Sequence, residues 1–310
     1  MTNAILRGNP NAGTPHVRFD EGEVASAKPR RGSLLYKSLA FAVLSAVLVG
    51  TARADLPQPD VKGAEKPLVV SQWQSRKVAF LGDSITDKIH VGCKANYWNY
   101  LPSMLGLDAY VYGKNGWRMA GMLKQAQDLK ATLGGEVDAI LVFAGTNDFN
   151  CGLPLGAWYD EETVEVRKND KAVPLKHRKL SFGNSFRGSI NLVMAYLKHE
   201  FPDQQIVLLT PIHRAYAKFG ERNVQPDESY ANTMGLYLDA YVAAIKEAGT
   251  VWSVPVIDLH GESGLYPNDA AYAKFFHNAQ TDMLHPNAAG HQRIAALLAT
   301  KLITLPASFK

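Results

Sequence analysis

A serine in the first third of the chain stands where a nucleophile could be presented to a substrate. Residues 82–86 read Gly-Asp-Ser-Ile-Thr and directly follow a short apolar run at 77–81. A glycine allows a tight turn at the end of a strand, so the hydroxyl of Ser84 would project from the edge of a sheet. A free hydroxyl is a weak nucleophile and needs an adjacent base. The pentapeptide alone is equally compatible with a serine that caps the following helix.

The candidate base lies near the other end of the chain. Residues 282–287 read Asp-Met-Leu-His-Pro-Asn and precede a helical pattern. This spacing allows the carboxylate of Asp282 to bind one imidazole nitrogen of His285 while the other nitrogen faces a nucleophile. Such a carboxylate fixes the tautomer and stabilises the imidazolium that forms during attack. By itself, the pair is also compatible with an Asp–His contact at a helix N-terminus.

Two further segments could stabilise the negative charge that develops on a carbonyl oxygen under attack. Residues 113–116 read Gly-Lys-Asn-Gly, and the backbone N–H of Gly116, or alternatively that of Gly113, could point at this oxygen. Residues 145–148 read Gly-Thr-Asn-Asp, and the amide of Asn147 could reach the same sheet edge. Each segment alone is also typical of an ordinary turn.

The four segments together resemble the SGNH (GDSL-type) hydrolase family, whose blocks are named for Ser, Gly, Asn and His and occur here in the family's order. The similarity extends over residues 76–302. It implies a three-layer α/β/α, flavodoxin-like parallel sheet and a serine hydrolase without a metal or an organic cofactor. It also implies a triad of Ser84, His285 and Asp282. The oxyanion hole would consist of the N–H groups of Ser84 and Gly116 and the Asn147 amide.

The apolar pattern predicts the same class of fold. Continuous apolar runs occur at 77–81, 139–144, 206–209 and 254–257, with a further strand at 109–112. Runs of this length suit strands that are buried on both faces of a parallel sheet. Helix-like segments alternate with these runs, which predicts right-handed crossovers and three layers. These segments are 95–105, 119–133, 186–197, 230–248 and 294–302.

One stretch, 151–183, is too long for an ordinary connection in an α/β domain. Asn169 and Asp170 separate two strand-like segments, 163–166 and 172–175, which predicts an inserted hairpin. We expect this insertion to leave the sheet at its carboxyl edge, where α/β domains bind ligands. Its polar composition and the Trp158-Tyr159 pair favour contact with a sugar over contact with a long acyl chain.

Four side chains are candidates for substrate binding, because aromatic faces and cations beside a polar site can hold a sugar ring. They are Trp117, Arg118, Trp158 and His213, and packing of the loops is the alternative interpretation of each. The histidines show no close metal-ligand spacing, so the sequence predicts no metal site.

The N-terminal region has the order of a secretory signal. Basic residues at 28–37 precede an apolar run at 39–49, and the following Thr-Ala-Arg-Ala at 51–54 has small residues at both positions that a signal peptidase reads, so cleavage is expected after Ala54. More than thirty residues precede the apolar run, which either a downstream start or an N-terminal extension would explain. We expect secretion or export to the periplasm. The run is too short to span a bilayer, and no stable membrane anchor is expected after processing.

Charge supports this division of the chain. The formal net charge of +4 belongs to residues 1–54, because the remainder holds 26 Lys/Arg and 26 Asp/Glu. The balance gives no support to nucleic acid as a partner. The predicted organisation is a leader at 1–54, a linker or arm at 55–75 and a hydrolase domain at 76–306. The two cysteines outside the leader, Cys93 and Cys151, could form a disulfide in an oxidising compartment.

These observations predict a secreted carboxylic ester hydrolase that acts on a small-molecule or glycan ester, with short-chain (acetyl) esters of carbohydrates as the first expectation. A lipolytic or thioester-cleaving enzyme of the same fold is the alternative within the class. A catalytically silent glycan-binding module is the alternative outside it, although such a module would not need Ser84 and His285 together.

Overall fold

The structure, a computed structural model, describes residues 71–89 and 93–310. The predicted leader and signal at 1–54, and residues 55–70 of the predicted arm, therefore lie outside the described residues. Among the described residues, no helix is both long enough and apolar enough to cross a membrane.

Strands and helices alternate along most of the described chain. The strands are β1 (Lys77–Gly82), β2 (Asp108–Val111), β3 (Ala139–Phe143), β4 (Tyr159–Lys168), β5 (Lys171–Leu180), β6 (Gln205–Leu209), β7 (Ala217–Lys218), β8 (Val224–Gln225), β9 (Val256–Ile257), β10 (Phe276–Asn278) and β11 (Asp282–Pro286). The helices are α1 (Tyr97–Leu105), α2 (Met122–Leu133), α3 (Thr146–Asn150), α4 (Phe186–Glu200), α5 (Leu238–Trp252), α6 (Leu259–Glu262) and α7 (Ala288–Leu302). Short 3₁₀ turns occur at Met119–Gly121, Gly134–Glu136 and Ala270–Phe275.

A five-stranded parallel sheet forms the centre of the fold, in the order β2-β1-β3-β6-β9. Alternate side chains of β1 enter two different apolar clusters. Val78 and Phe80 pack with α1 and α7, whereas Ala79 and Leu81 pack with α2, α4 and α5. A strand buried on both faces must be apolar throughout, which is why its sequence shows no alternation. The three-layer α/β/α prediction is confirmed.

The elements differ from the predicted ones mainly at their ends. The apolar run at 254–257 yields only the two-residue β9. The helix predicted from 230 begins at Leu238. A turn precedes it, because the Asn232 side chain accepts N–H groups from Met234 and Leu236 and Gly235 has a φ of 71°. Ser185 caps α4 by accepting the N–H of Gly188.

The predicted hairpin is present as β4 and β5, which pair in antiparallel register over their full length. Asn169 and Asp170 form its turn with φ values of 49° and 61°, the left-handed conformation that a two-residue hairpin turn needs. Its base is anchored on α4, where the Asn191 amide donates to the carbonyls of Trp158 and Ser181.

A second, small sheet was not predicted. It has the order β10-β11-β7-β8 and is antiparallel. Residues 282–286, which the sequence suggested only as a segment before the last helix, form its strand β11, and every residue of that strand is buried. This sheet therefore holds Asp282 and His285 in extended, hydrogen-bonded backbone.

Candidate active site

Ser84 lies in a tight turn directly after β1. The N–H groups of Thr86 and Asp87 donate to the Asp83 carbonyl and close this turn. A side chain at Gly82 would collide with Thr86, since a Cβ there would lie 2.2 Å from the Thr86 Oγ1. The turn requires glycine for this reason, and it leaves the Ser84 hydroxyl at the carboxyl end of β1.

Ser84, His285 and Asp282 form one continuous hydrogen-bonded chain. His285 Nε2 lies 2.9 Å from Ser84 Oγ, and His285 Nδ1 lies 3.0 Å from both carboxylate oxygens of Asp282. Asp282 Oδ1 also accepts the backbone N–H groups of Leu284 and His285. The carboxylate thus holds the imidazole so that Nδ1 carries the proton and Nε2 can accept one from the serine.

The environment of Asp282 keeps it ionised. Burial alone would raise the pKa of this carboxyl, but hydrogen bonds from the His285 ring and from the backbone outweigh burial and hold the pKa below its ordinary value. His277, which the sequence did not single out, lies with its Nδ1 3.2 Å from Asp282 Oδ2. The orienting carboxylate therefore has two histidine neighbours.

Three residues that carry candidate oxyanion donors line the same cleft. In the described part of the chain, the backbone N–H groups of Ser84 and Gly116 donate to no protein acceptor. Asn147 Nδ2 donates to the Trp117 carbonyl at 3.1 Å, and its other contact is a weak one of 3.4 Å with Asp83 Oδ2. Ser84, Gly116 and Asn147 all line one cleft with His285. The two backbone donors are unpaired and fixed in advance, which is what stabilises a developing oxyanion, whereas Asn147 would have to exchange its weak contact with Asp83 for the oxyanion.

The structure also distinguishes the two candidate oxyanion glycines, Gly116 and Gly113. Gly116 has a φ of 73° and open space where a Cβ would lie, so its backbone faces the cleft without shielding. A Cβ on Gly113 would instead lie 2.7 Å from the backbone of Thr86. Gly113 is therefore needed for close packing against the serine turn, and it does not line the cleft.

A buried polar cluster contacts the turns that carry the serine and the asparagine. Burial raises the pKa of Asp83 to about 7 and that of Asp148 to about 6, because each carboxylate loses solvation. Arg214 is fully buried and donates to Thr146 and Gln225. Burial lowers the pKa of this guanidinium to about 10, well above neutral pH, so the cluster keeps one fixed positive charge.

The cleft above the triad measures about 180 Å³. One wall comes from the segment around β7 and β8, which contributes Phe219, Asn223 and Gln225. The Phe219 ring lies edge-on to the His285 ring, with 5.3 Å between ring centroids. Sequence reasoning missed this wall, because strands of two residues give no periodic signal.

A family model described as the GDSL-like lipase/acylhydrolase family matches residues 80–293, which include the serine turn, both oxyanion segments and His285. The chain belongs to this family. The predicted SGNH (GDSL-type) resemblance is confirmed.

Solved structures show the same fold at low sequence identity. A protein from Lactobacillus plantarum is 23% identical with a TM-score of 0.57, and the match covers 74% of this chain and 97% of that one. A possible lipase from Chitinophaga pinensis is 20% identical with a TM-score of 0.57, and the match covers 73% and 97% of the two chains. Among curated proteins, no significant match exists.

The four predicted substrate-binding side chains of this GDSL-like hydrolase do not line the cleft. Trp117 packs on Gly121, and Arg118 lies 3.5 Å from the sulfur of Cys151. The Trp158 indole donates to Glu247 on α5, and His213 pairs with Glu228. The hairpin contributes no residue to the cleft either. Closeness in sequence to Asn147 therefore does not bring Trp158 or the hairpin to the site, and the β7–β8 segment forms the wall in their place.

The predicted disulfide is not formed, and this expectation is corrected: Cys93 and Cys151 are both free thiols. Each sulfur has a local partner, since Cys93 Sγ donates to the Ala95 carbonyl and Cys151 Sγ donates to the Asp148 carbonyl. Cys93 therefore lies in the segment before α1, and Cys151 lies at the end of α3.

Proposed function

We propose that this GDSL-like chain is a carboxylic ester hydrolase with Ser84 as nucleophile, His285 as general base and Asp282 as the orienting carboxylate. The hydrogen-bonded chain from Ser84 Oγ through the His285 ring to Asp282 carries this proposal. A silent binding module would have no use for this arrangement of buried groups, whose desolvation costs free energy unless they are paired.

In the proposed reaction, His285 Nε2 removes the hydroxyl proton as Ser84 Oγ bonds to the ester carbonyl carbon. The carbonyl oxygen becomes an oxyanion held by the N–H groups of Ser84 and Gly116 and by the Asn147 amide. The tetrahedral intermediate then expels the alcohol, which takes its proton from His285. Water, deprotonated by His285, attacks the acyl-serine and releases the carboxylic acid and the free serine.

We propose short-chain, above all acetyl, esters of carbohydrates as the substrates. The small cleft limits the length of an acyl chain, and the amides of Asn115, Asn223 and Gln225 along it can hydrogen-bond a hydroxylated alcohol. The Phe219 ring offers a flat apolar face of the kind that packs on sugars. The support therefore comes from the β7–β8 wall of the cleft, whereas the sequence had suggested the hairpin as the sugar-binding segment. We further propose that the enzyme is exported, for which the residue order at 28–54 is the support.

A lipolytic or thioester-cleaving activity is the second candidate, and one observation favours it. Tyr216, Phe219 and Val224 expose 40%, 41% and 47% of their surface within the same segment that walls the cleft. Apolar side chains exposed together beside a cleft can contact a lipid surface or a long acyl chain.

A series of nitrophenyl esters from two to twelve carbons, together with an acetylated glycan, a triglyceride emulsion and an acyl thioester, separates these candidates. We expect kcat/KM for the acetyl ester to exceed that for the eight-carbon ester by at least about tenfold, since single methylenes change specificity by 10-fold or more. The Phe219→Ala variant should lower kcat/KM for the glycan more than for the small acetate. A maximum at eight or more carbons would overturn the carbohydrate proposal, and no hydrolysis of any ester would overturn the esterase proposal itself.

A further inference from the structure

A cluster of two histidines and one glutamate lies outside the triad. His213 follows β6, Glu228 follows β8, and His260 is on the short helix α6. Each side chain offers one ligand atom, and these atoms lie within 4.8 Å of one another. The three residues are far apart in sequence, which explains why the spacing of histidines along the chain gave no metal signal.

The carboxylate of this cluster is already oriented. Glu228 Oε2 accepts the backbone N–H of Arg214 at 2.9 Å, and Glu228 Oε1 contacts His213 Nδ1. The Asn268 amide approaches the same Oε1 at 3.4 Å. Fixed carboxylates with outer hydrogen bonds are typical of metal ligands.

His260 has one buried ring nitrogen whose hydrogen-bonding capacity is not used. Its Nε2 lies 3.4 Å from the exposed carboxylate of Asp239, whereas its Nδ1 is buried and has no hydrogen-bond partner among residues 71–89 and 93–310. Its ring packs against that of His213, with centroids 3.6 Å apart. In the tautomer whose Nε2 proton points to Asp239, Nδ1 is a buried acceptor without a partner, and such an atom in a native protein calls for an explanation.

We propose that His213, Glu228 and His260 bind one divalent transition-metal ion, zinc in the first instance. Two imidazoles and one carboxylate form a ligand set that zinc prefers, whereas magnesium and calcium prefer oxygen ligands alone. Zinc–nitrogen bonds of about 2.0–2.1 Å place tetrahedral ligand atoms roughly 3.4 Å apart, so modest side-chain rotations bring the three groups together. The ion supplies the missing partner of His260 Nδ1, and the Asp239 carboxylate acts as its outer hydrogen-bond acceptor.

The ion would brace one wall of the ester cleft, a consequence that rests on the proposed function. The segment between His213 and Glu228 contains Phe219, Asn223 and Gln225, the residues that line that wall. Neither Ser84 nor His285 belongs to the ligand set, so the ion holds the wall in place and takes no part in the acyl transfer. Loss of the ion should therefore raise KM for an ester more than it lowers kcat.

The direct test uses the full chain, freed of metals by a chelator, without any substrate. Calorimetric titration with Zn²⁺ should show one equivalent bound, and Co²⁺ should give the visible absorption of a low-coordinate site. Glu228→Gln keeps the size of the side chain and an acceptor for Arg214, and His260→Ala removes the unpartnered nitrogen. Each should weaken Zn²⁺ binding by at least about 100-fold, because even changes to outer partners of ligands cost 10–100-fold. The matched control is His199→Ala, an exposed histidine on α4, which should bind as the wild type does.

Melting temperatures measured with and without Zn²⁺ distinguish a loss of zinc binding from a folding defect, because each variant is compared with itself. Free Zn²⁺ at about ten times the wild-type dissociation constant should raise the melting temperature of the wild type and of His199→Ala by mass action, and should leave that of Glu228→Gln nearly unchanged. Equal Zn²⁺ affinity in Glu228→Gln and the wild type, or equal weakening in His199→Ala, would overturn the site. Because binding is measured without an ester, a failure here is distinct from a failure of the proposed esterase activity.

Discussion

The turn that carries Ser84 and the hairpin formed by β4 and β5 both come after strands of the central sheet. They differ in whether their polar side chains are buried with fixed hydrogen-bond partners. Around Ser84, each charged or polar side chain of the triad is buried and has a defined partner. Along the hairpin, charged side chains are exposed on both faces, and their ion pairs, such as Lys179 with Glu162, lie in solvent. Exposed pairs of this kind contribute little free energy.

This difference shows which polar residues determine chemistry. Burying a hydroxyl, an imidazole and a carboxylate together costs free energy unless every group is paired, so the triad geometry must be specified closely. Exposed residues of the hairpin carry no such cost and need no fixed partner. A polar segment that is close to Asn147 in sequence is therefore weak support for a role in the cleft, and Trp158 illustrates this, because its indole donates to Glu247 instead.

The largest expected effect comes from the two ends of the hydrogen-bonded chain. Ser84→Ala and His285→Ala should each reduce kcat for a small ester by a factor on the order of 10⁶, because the members of a triad act as a unit. The Ser84 variant removes one small hydroxyl and should leave the free energy of unfolding nearly unchanged. Steady-state kinetics and denaturant titration measure both quantities. Substantial activity in either variant at unchanged stability would show that the buried residues at this sheet edge matter no more for catalysis than exposed residues elsewhere.

A smaller loss is expected for the orienting carboxylate. Asp282→Asn should reduce kcat on the order of 10⁴-fold, because the amide can favour the wrong tautomer of His285. His277→Gln is the matched control, since His277 contacts the same carboxylate but not the serine, and it should lose only a few-fold. If the two variants proved equal, Asp282 would not be the group that orients the imidazole.

The central strands and the four family segments could be predicted from the sequence because both are local: buried strands show continuous apolar runs, and the motifs are contiguous. The hairpin was predicted from its turn residues, Asn169 and Asp170. The cleft wall could not be predicted in this way, since β7 and β8 are too short to show a period. The His213–Glu228–His260 cluster depends entirely on tertiary packing. The free cysteines were missed because sequence shows that two thiols exist but not which local acceptor each one finds.

A pH effect on stability comes from Asp148. Its pKa, raised to about 6 by burial from an ordinary value of 3.8, means that the folded chain binds more protons than the unfolded chain between about pH 4 and pH 6. Its contribution to the free energy of unfolding is therefore fully present at low pH and lost as pH rises through about 6. Asp148→Asn keeps an acceptor for the Met119 N–H and should remove this part of the decline.

Urea unfolding of the wild type and of Asp148→Asn at several pH values between 4 and 8 measures this effect as a difference, which cancels the opposite trend that Asp282 contributes. Asp128→Asn, an exposed aspartate on α2 paired with Lys124, serves as the control and should follow the wild type. Parallel curves for the wild type and Asp148→Asn would mean that the Asp148 carboxyl is not a buried acid with a raised pKa.

The smallest effect on activity is expected from shortening the hairpin formed by β4 and β5. Replacing residues 163–176 with a short turn removes the outer part of β4 and β5 but keeps the base, where Asn191 binds the Trp158 and Ser181 carbonyls. Because no hairpin residue lines the cleft, kcat/KM for a small acetate should change by less than about threefold. A loss as large as that of Asp282→Asn would show that the hairpin contributes to the site after all.

The most direct test of the serine mechanism is covalent labelling with a serine-directed phosphonate, followed by intact-mass measurement and peptide mapping. We predict a single adduct on the peptide that contains Ser84, loss of ester hydrolysis in step with labelling, and strongly slowed labelling of His285→Ala. The Ser84→Ala variant should take up no label, whereas the variant with the shortened hairpin should be labelled at the rate of the wild type. An adduct on a different residue, or equal labelling of Ser84→Ala, would contradict the account.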